Sequence, residues 1–108
     1  MLTSLTIKNF SLIEDLEVSF ASGLSVLTGE TGSGKSILLE ALSLVLGQRA
    51  DLSTIRSGAS KCIVEATFDI KSHNLSQLFN QLDLDYDSET VVRRELSANG
   101  KSRGFVND

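Results

Sequence analysis

The 108-residue sequence contains no proline and a single cysteine. Lack of proline excludes a proline-rich linker. A lone Cys62 excludes an internal disulfide and fits a reducing compartment. No apolar run approaches the length needed to cross a bilayer, and the N-terminus lacks the charged-then-apolar pattern of a secretory signal. The net charge of −4 sets up no global attraction to nucleic acid or an anionic membrane. There is no guanine-reading Asn-Lys-x-Asp run, and no apolar run ends in Asp or Asp-Glu. Thr67-Phe68-Asp69 comes nearest, but inside an alternating segment. The expectation is a soluble, cytoplasmic chain with no membrane partner, long enough for one small domain with one core.

What the sequence does contain is one complete motif. Gly29, Glu30, Thr31, Gly32, Ser33, Gly34, Lys35 and Ser36 fill the pattern G-x-x-x-x-G-K-[ST]. The glycines let the backbone turn tightly and approach a phosphate chain without a Cβ in the way. Successive N–H groups then form an anion-binding nest, and the following helix adds the positive end of its dipole. In such a loop Lys35 reaches the β- and γ-phosphates as a point charge, and the Ser36 hydroxyl ligates Mg²⁺. Glu30, Thr31 and Ser33 contribute mainly backbone N–H groups. Upstream, Leu24–Thr28 reads as a short buried strand. Downstream of Lys35, residues 36–46 are apolar except for Ser36, Glu40 and Ser43, one narrow stripe at helical spacing, so this helix is expected to be buried on most sides. Gly47 supplies its stop. Strand, loop and helix stand in the order that a phosphate cradle requires.

Around this unit the hydrophobic period is two. Leu5 and Ile7 alternate with polar residues, as do Leu16, Val18 and Phe20, predicting an antiparallel pair linked through residues 9–14. Val64, Ala66, Phe68 and Ile70 mark a further strand. The segment from Thr90 to Leu96, a turn at Asn99-Gly100, and Lys101 to Val106 predict a hairpin. Leu75, Leu78, Phe79 and Leu82 predict a short amphipathic helix capped by Asn74 with Gln77. Residues 48–60 read as a polar loop, and 83–89 as an acidic, solvated connector without calcium-loop spacing. The fold class is α/β, a P-loop NTPase with a mixed sheet rich in antiparallel strands. A hairpin before the phosphate loop weighs against small-GTPase or nucleoside-kinase topologies.

Several stretches carry a resemblance. Met1 through Phe10, then Ser11 through Glu14, resembles the opening of the SMC- and Rad-type ATPases, and Ile7–Phe10 with Leu12–Glu14 and Ser22 through Leu39 are similar to the RecN family. Leu46–Asp51, Arg93–Arg103 and Phe105–Asp108 are similar to successive blocks of the RecN family within that group. The resemblance covers nearly the whole chain and is weakest over residues 71–89. It implies the N-terminal lobe (residues 1–108) of an ABC/SMC-type ATPase head split in sequence. A coiled coil and a C-terminal lobe bearing the Mg²⁺-binding acidic strand, signature motif and catalytic Glu would follow. No catalytic residue is then expected in this segment, which alone would hydrolyse little. Two heads would sandwich ATP in a head-to-head homodimer. Turnover would be coupled to DNA during recombinational repair of double-strand breaks, placing the protein at the nucleoid. The alternatives are another SMC/ABC-type ATPase with different cargo, or a GTPase- or kinase-like P-loop protein.

The resemblance also implies that Arg56 couples DNA to ATP turnover and that Lys8, Asn9 and Phe10 approach the nucleotide. A solvated loop arginine and a strand end packing Phe10 into the core are the plainer readings. Arg49 is a second candidate for the Arg56 role, or else neutralises the helix C-terminus. Arg93, Arg94, Lys101 and Arg103 either touch DNA phosphates or form an ordinary charged sheet face. Cys62 and His73 carry no expected role.

Overall fold

The computed structural model describes residues 2–19, 33–49, 51–71 and 74–107, with side chains undescribed at 33–36. The expected strand Leu24–Thr28, motif residues 29–32 and His73 lie outside the described residues.

Among the described residues five strands form one sheet: β1 (Leu2–Phe10), β2 (Ile13–Ser19), β3 (Lys61–Asp69), β4 (Glu89–Ser97) and β5 (Ser102–Val106). Their order across the sheet is β2-β1-β3-β4-β5, and every pairing among them is antiparallel. The register follows from the alternation. Leu5 lies between Val18 on β2 and Ala66 on β3, and Ile7 between Leu16 and Val64. Ala66 and Cys62 in turn face Val92 and Leu96 on β4. One-residue slips would turn these side chains to the opposite face, so the apolar pattern fixes the pairing. The β1–β2 turn is tighter than expected. Phe10 already pairs with Ile13, leaving only Ser11 and Leu12, and Ser11 takes φ +53°.

Helix α1 (Ser33–Val45) covers one face of this sheet. Ile37, Leu38, Ala41, Leu44 and Val45 recur at helical spacing and all join the core with Leu5, Ile7, Val64, Ala66 and Leu96. Ala41 is wholly buried. Leu39 and Leu46 remain 46% and 67% exposed, so burial on most sides does not hold among the described residues. Among the described residues, the helix meets the sheet on one side. Gly47 ends it as expected, at φ +102°. Its N–H donates to Leu44 O at 3.2 Å and that of Gln48 to Ser43 O at 3.0 Å, the paired bonds of a Schellman stop.

The second helix, α2 (Ser76–Gln81), is shorter than the apolar spacing suggested, and Leu75 takes the cap position with no side-chain cap bond. The expected Asn74 cap is therefore not made; Asn74 sits in left-handed backbone at φ +51°. Leu78 and Leu82 stay exposed, and Phe79 instead meets the Tyr86 ring edge-on at 5.4 Å. The acidic connector is tied to the sheet by Asn107, whose amide donates to Asp85 O at 2.9 Å while its Oδ1 accepts from Val91 N.

Candidate nucleotide site and its surroundings

Helix α1 begins at Ser33, inside the motif, so Gly34, Lys35 and Ser36 occupy its first turn. That turn carries no acidic side chain, so nothing on the helix opposes an anion at its positive end. A phosphate and its Mg²⁺ fit this donor set: backbone N–H groups, an ammonium and a hydroxyl. Gly29, Glu30, Thr31 and Gly32, and the side chains of Ser33, Lys35 and Ser36, lie outside the described residues. Among the described residues, no group of three or more His, Cys, Asp or Glu is arranged to hold a metal.

Beside the sheet, residues 51–60 are not a free loop. A 3-10 turn, Leu52–Thr54, starts at Asp51, whose carboxylate accepts from Ser53 N at 2.9 Å and Ser53 Oγ at 2.8 Å. The backbone bond first, then the hydroxyl, holds the Asp51 carboxyl below its usual range. Ile55 then bridges to Phe10. Ser11 N donates to Thr54 O, and Arg56 N to Asn9 O at 2.8 Å. This staple extends the ladder of β1 beyond its pairing with β3. It seats Arg56 over the β1–β2 turn, where Nη1 donates to Leu12 O at 2.9 Å. Asn9, Glu14, Arg56 and Lys61, with residues 57–60, line an open cleft of about 440 Å³.

Of the residues singled out from sequence, Asn9 and Arg56 are brought together. Phe10 is fully buried, so its role is in the core, and Lys8 is exposed on the sheet face that α1 does not cover. Arg49 lines a smaller cleft between α1 and the 3-10 turn, with Glu40 and Asp51. It does not cap α1; Arg94 does.

The basic residues of the last hairpin do not form one patch. Arg94 lies in register with Val64, on the face covered by α1. Its Nη1 donates to Leu44 O at 2.9 Å and Gln48 O at 3.1 Å, and its Nε to Ser102 Oγ at 2.9 Å. Arg93, on the opposite face, stacks 4.2 Å from the Phe105 ring centroid and pairs with Glu95 at 3.1 Å. Glu95 also meets Lys61 at 3.5 Å. Lys101 and Arg103 are exposed. Sequence reasoning missed the capping role of Arg94. The available signal was its place between Val92 and Leu96, at a core-facing position of an alternating strand.

The AAA domain family matches residues 4–106. The DNA repair protein RecN of Haemophilus influenzae is 44% identical over 112 residues, covering 99% of this chain and 20% of the relative. The chain spans about a fifth of the length of the curated relatives it matches. A solved structure described as showing ATP-driven dimerisation and DNA-stimulated activation of SMC ATPases superimposes with a TM-score of 0.76 at 22% identity, covering 98% of this chain and 69% of that one. An SMC head domain from Thermotoga maritima gives a TM-score of 0.66 at 23% identity, over 98% of this chain and 36% of that one. With the fold of SMC head domains and a family match over residues 4–106, the chain belongs to the AAA domain family.

Proposed function

We propose that this chain is the N-terminal lobe of a RecN-like ATPase head that binds ATP·Mg²⁺ and serves in recombinational repair of DNA double-strand breaks. The observation that carries the reading is the start of α1 within the motif, which puts Lys35 and Ser36 in the first turn of a helix packed on the sheet. In this reading the N–H groups of residues 29–36 hold the phosphates, Lys35 neutralises the β- and γ-oxygens, and Ser36 ligates Mg²⁺. The bound metal would offset charge developing on the transferred phosphoryl group. A second lobe of the same protein supplies the remaining catalytic groups, and two heads close on ATP as a homodimer. Similarity to RecN over 99% of the chain supports the repair role, and similarity to SMC ATPases supports ATP-driven pairing of heads. Within the described residues no helix is long and apolar enough to cross a membrane, in keeping with action at the nucleoid.

The test is ATP binding and turnover by the full-length protein, with and without linear DNA, beside Lys35→Ala. DNA-stimulated turnover that the substitution abolishes is the expected result. Equal activity in the variant would overturn the phosphate-loop assignment, and turnover indifferent to DNA would point to another SMC/ABC-type role.

A further inference from the structure

We propose that Arg94 is a positioning residue for the phosphate-binding helix, setting nucleotide affinity through the placement of α1 without touching the nucleotide. The inference rests on the reading of residues 29–36 given above. Arg94 occupies a position that alternation reserves for the core side of β4, between Val92 and Leu96. A cation there needs partners, since a half-buried charge left unsatisfied is costly. Among the described residues no carboxylate pairs with it. Its donors go instead to Leu44 O in the last turn of α1, to Gln48 O just beyond the helix, and to Ser102 Oγ on the edge strand β5. One side chain thus joins the helix, the turn after it and the last hairpin.

The target carbonyls mark the negative end of the α1 dipole, where a cation is stabilising. Leu44 O already accepts from Gly47 N, so Arg94 adds a charge-assisted bond to the Schellman stop. Among the residues of α1 whose side chains are described, the fully buried ones, Ala41, Leu44 and Val45, lie toward its C-terminal end, with Ile37 and Leu38 packed against the core nearer the motif. A 13-residue helix is about 20 Å long. A helix moves largely as one rod, so a small rotation where Arg94 holds it is carried along to the motif. Phosphate donors require placement to within about an ångström, so releasing the end that Arg94 holds weakens binding at the other. Arginine suits this task because its planar fork presents Nη1 and Nε at a fixed spacing to two elements, whereas a lysine ammonium gathers its three donors on one nitrogen.

The test compares Arg94→Met, Arg94→Lys, Ser102→Ala and Lys35→Ala in the full-length protein. It measures the Kd for Mg·ATP, KM and kcat for ATP, and Tm. Arg94→Met is expected to raise Kd and KM about tenfold with kcat at saturating ATP within about twofold. Arg94→Lys recovers part of the loss, and Ser102→Ala causes a smaller rise. A folded Arg94→Met protein with unchanged Kd and KM overturns the inference, whatever its Tm. Should Arg94→Met fail to fold, unchanged Kd in both Arg94→Lys and Ser102→Ala overturns it equally. Lys35→Ala separates the two readings. Binding lost there but kept in the Arg94 variants defeats only the positioning role, whereas binding kept in Lys35→Ala defeats the nucleotide site itself.

Discussion

The Arg56 guanidinium donates to the carbonyl of Leu12 across 2.9 Å, joining positions 44 residues apart. The bond lies beside the Phe10–Ile55 bridge, so the arginine that the family resemblance associates with DNA also braces the β1–β2 turn. A ligand that drew the guanidinium away would loosen that turn.

Replacing Arg56 by Ala should cost about 1 kcal/mol, lowering Tm by roughly 4 °C. The neighbouring backbone bonds of Ser11 and Arg56 should persist. Thermal unfolding gives the first quantity, and amide exchange at Ser11 and Arg56, still slow relative to Leu12, checks the second.

Among the described residues, Phe10 is the largest fully buried side chain. Its truncation to Ala should destabilise by about 3–5 kcal/mol, a large share of the total stability of a small domain. Denaturant titration of Phe10→Ala would show a lower midpoint at unchanged slope.

Gly47 holds φ +102° with open space where a Cβ would point. Gly47→Ala should therefore destabilise through backbone strain rather than a clash, by about 1 kcal/mol. Ser43 and Leu44 would lose their clean helix stop, and the loss should appear as earlier fraying at Leu46 in hydrogen exchange.

Burial pushes the Cys62 thiol from its ordinary 9.0 up to about 11. The unfolded chain then releases this proton at lower pH than the folded one. The stabilisation is complete below pH 9, declines as pH rises from 9 toward 11, and is gone above. Urea midpoints measured across that window should fall with a slope that Cys62→Ala reduces. The native thiol should also resist alkylation at pH 8.

Arg93 and Phe105 are opposite one another in the β4–β5 register. A double-mutant cycle on the pair should return a coupling of about 0.5–1 kcal/mol. Because Glu95 shares the guanidinium, the coupling should change when Glu95 is replaced by Gln.

Strands whose alternation is regular were legible in the sequence: Leu5 and Ile7, Leu16 and Val18, and Val64 and Ala66 all face the core in the expected pairs. The last hairpin was legible too, with bounds shifted by one residue at three of its four ends and unchanged at the fourth. Gly47 was legible because only one conformation suits a helix stop there. The helix start was read from the motif, and α1 does begin within it. Other features depend on contacts between distant segments. Nothing local to Ile55 says that it will bridge to Phe10. The cap predicted for α2 was lost because Asn74 adopts left-handed backbone and the helix begins after Leu75. The arginines of the hairpin looked like one charged set, yet pleating sends Arg93 and Arg94 to opposite faces, one to an aromatic ring and the other to a helix end.

The ladder between β1 and β3, running from Leu2–Phe68 to Lys8–Ile63, has a consequence for biosynthesis. The N-terminal hairpin can form as soon as it leaves the ribosome, but the partner for the other edge of β1 is still untranslated. At about 5–20 residues per second, the intervening segment takes on the order of several seconds to make. Throughout that interval β1 presents an open, apolar edge of the kind that pairs with foreign strands. The nascent chain therefore meets its greatest aggregation risk before β3 emerges, and a chaperone that shields Leu5 and Ile7 would act in that interval.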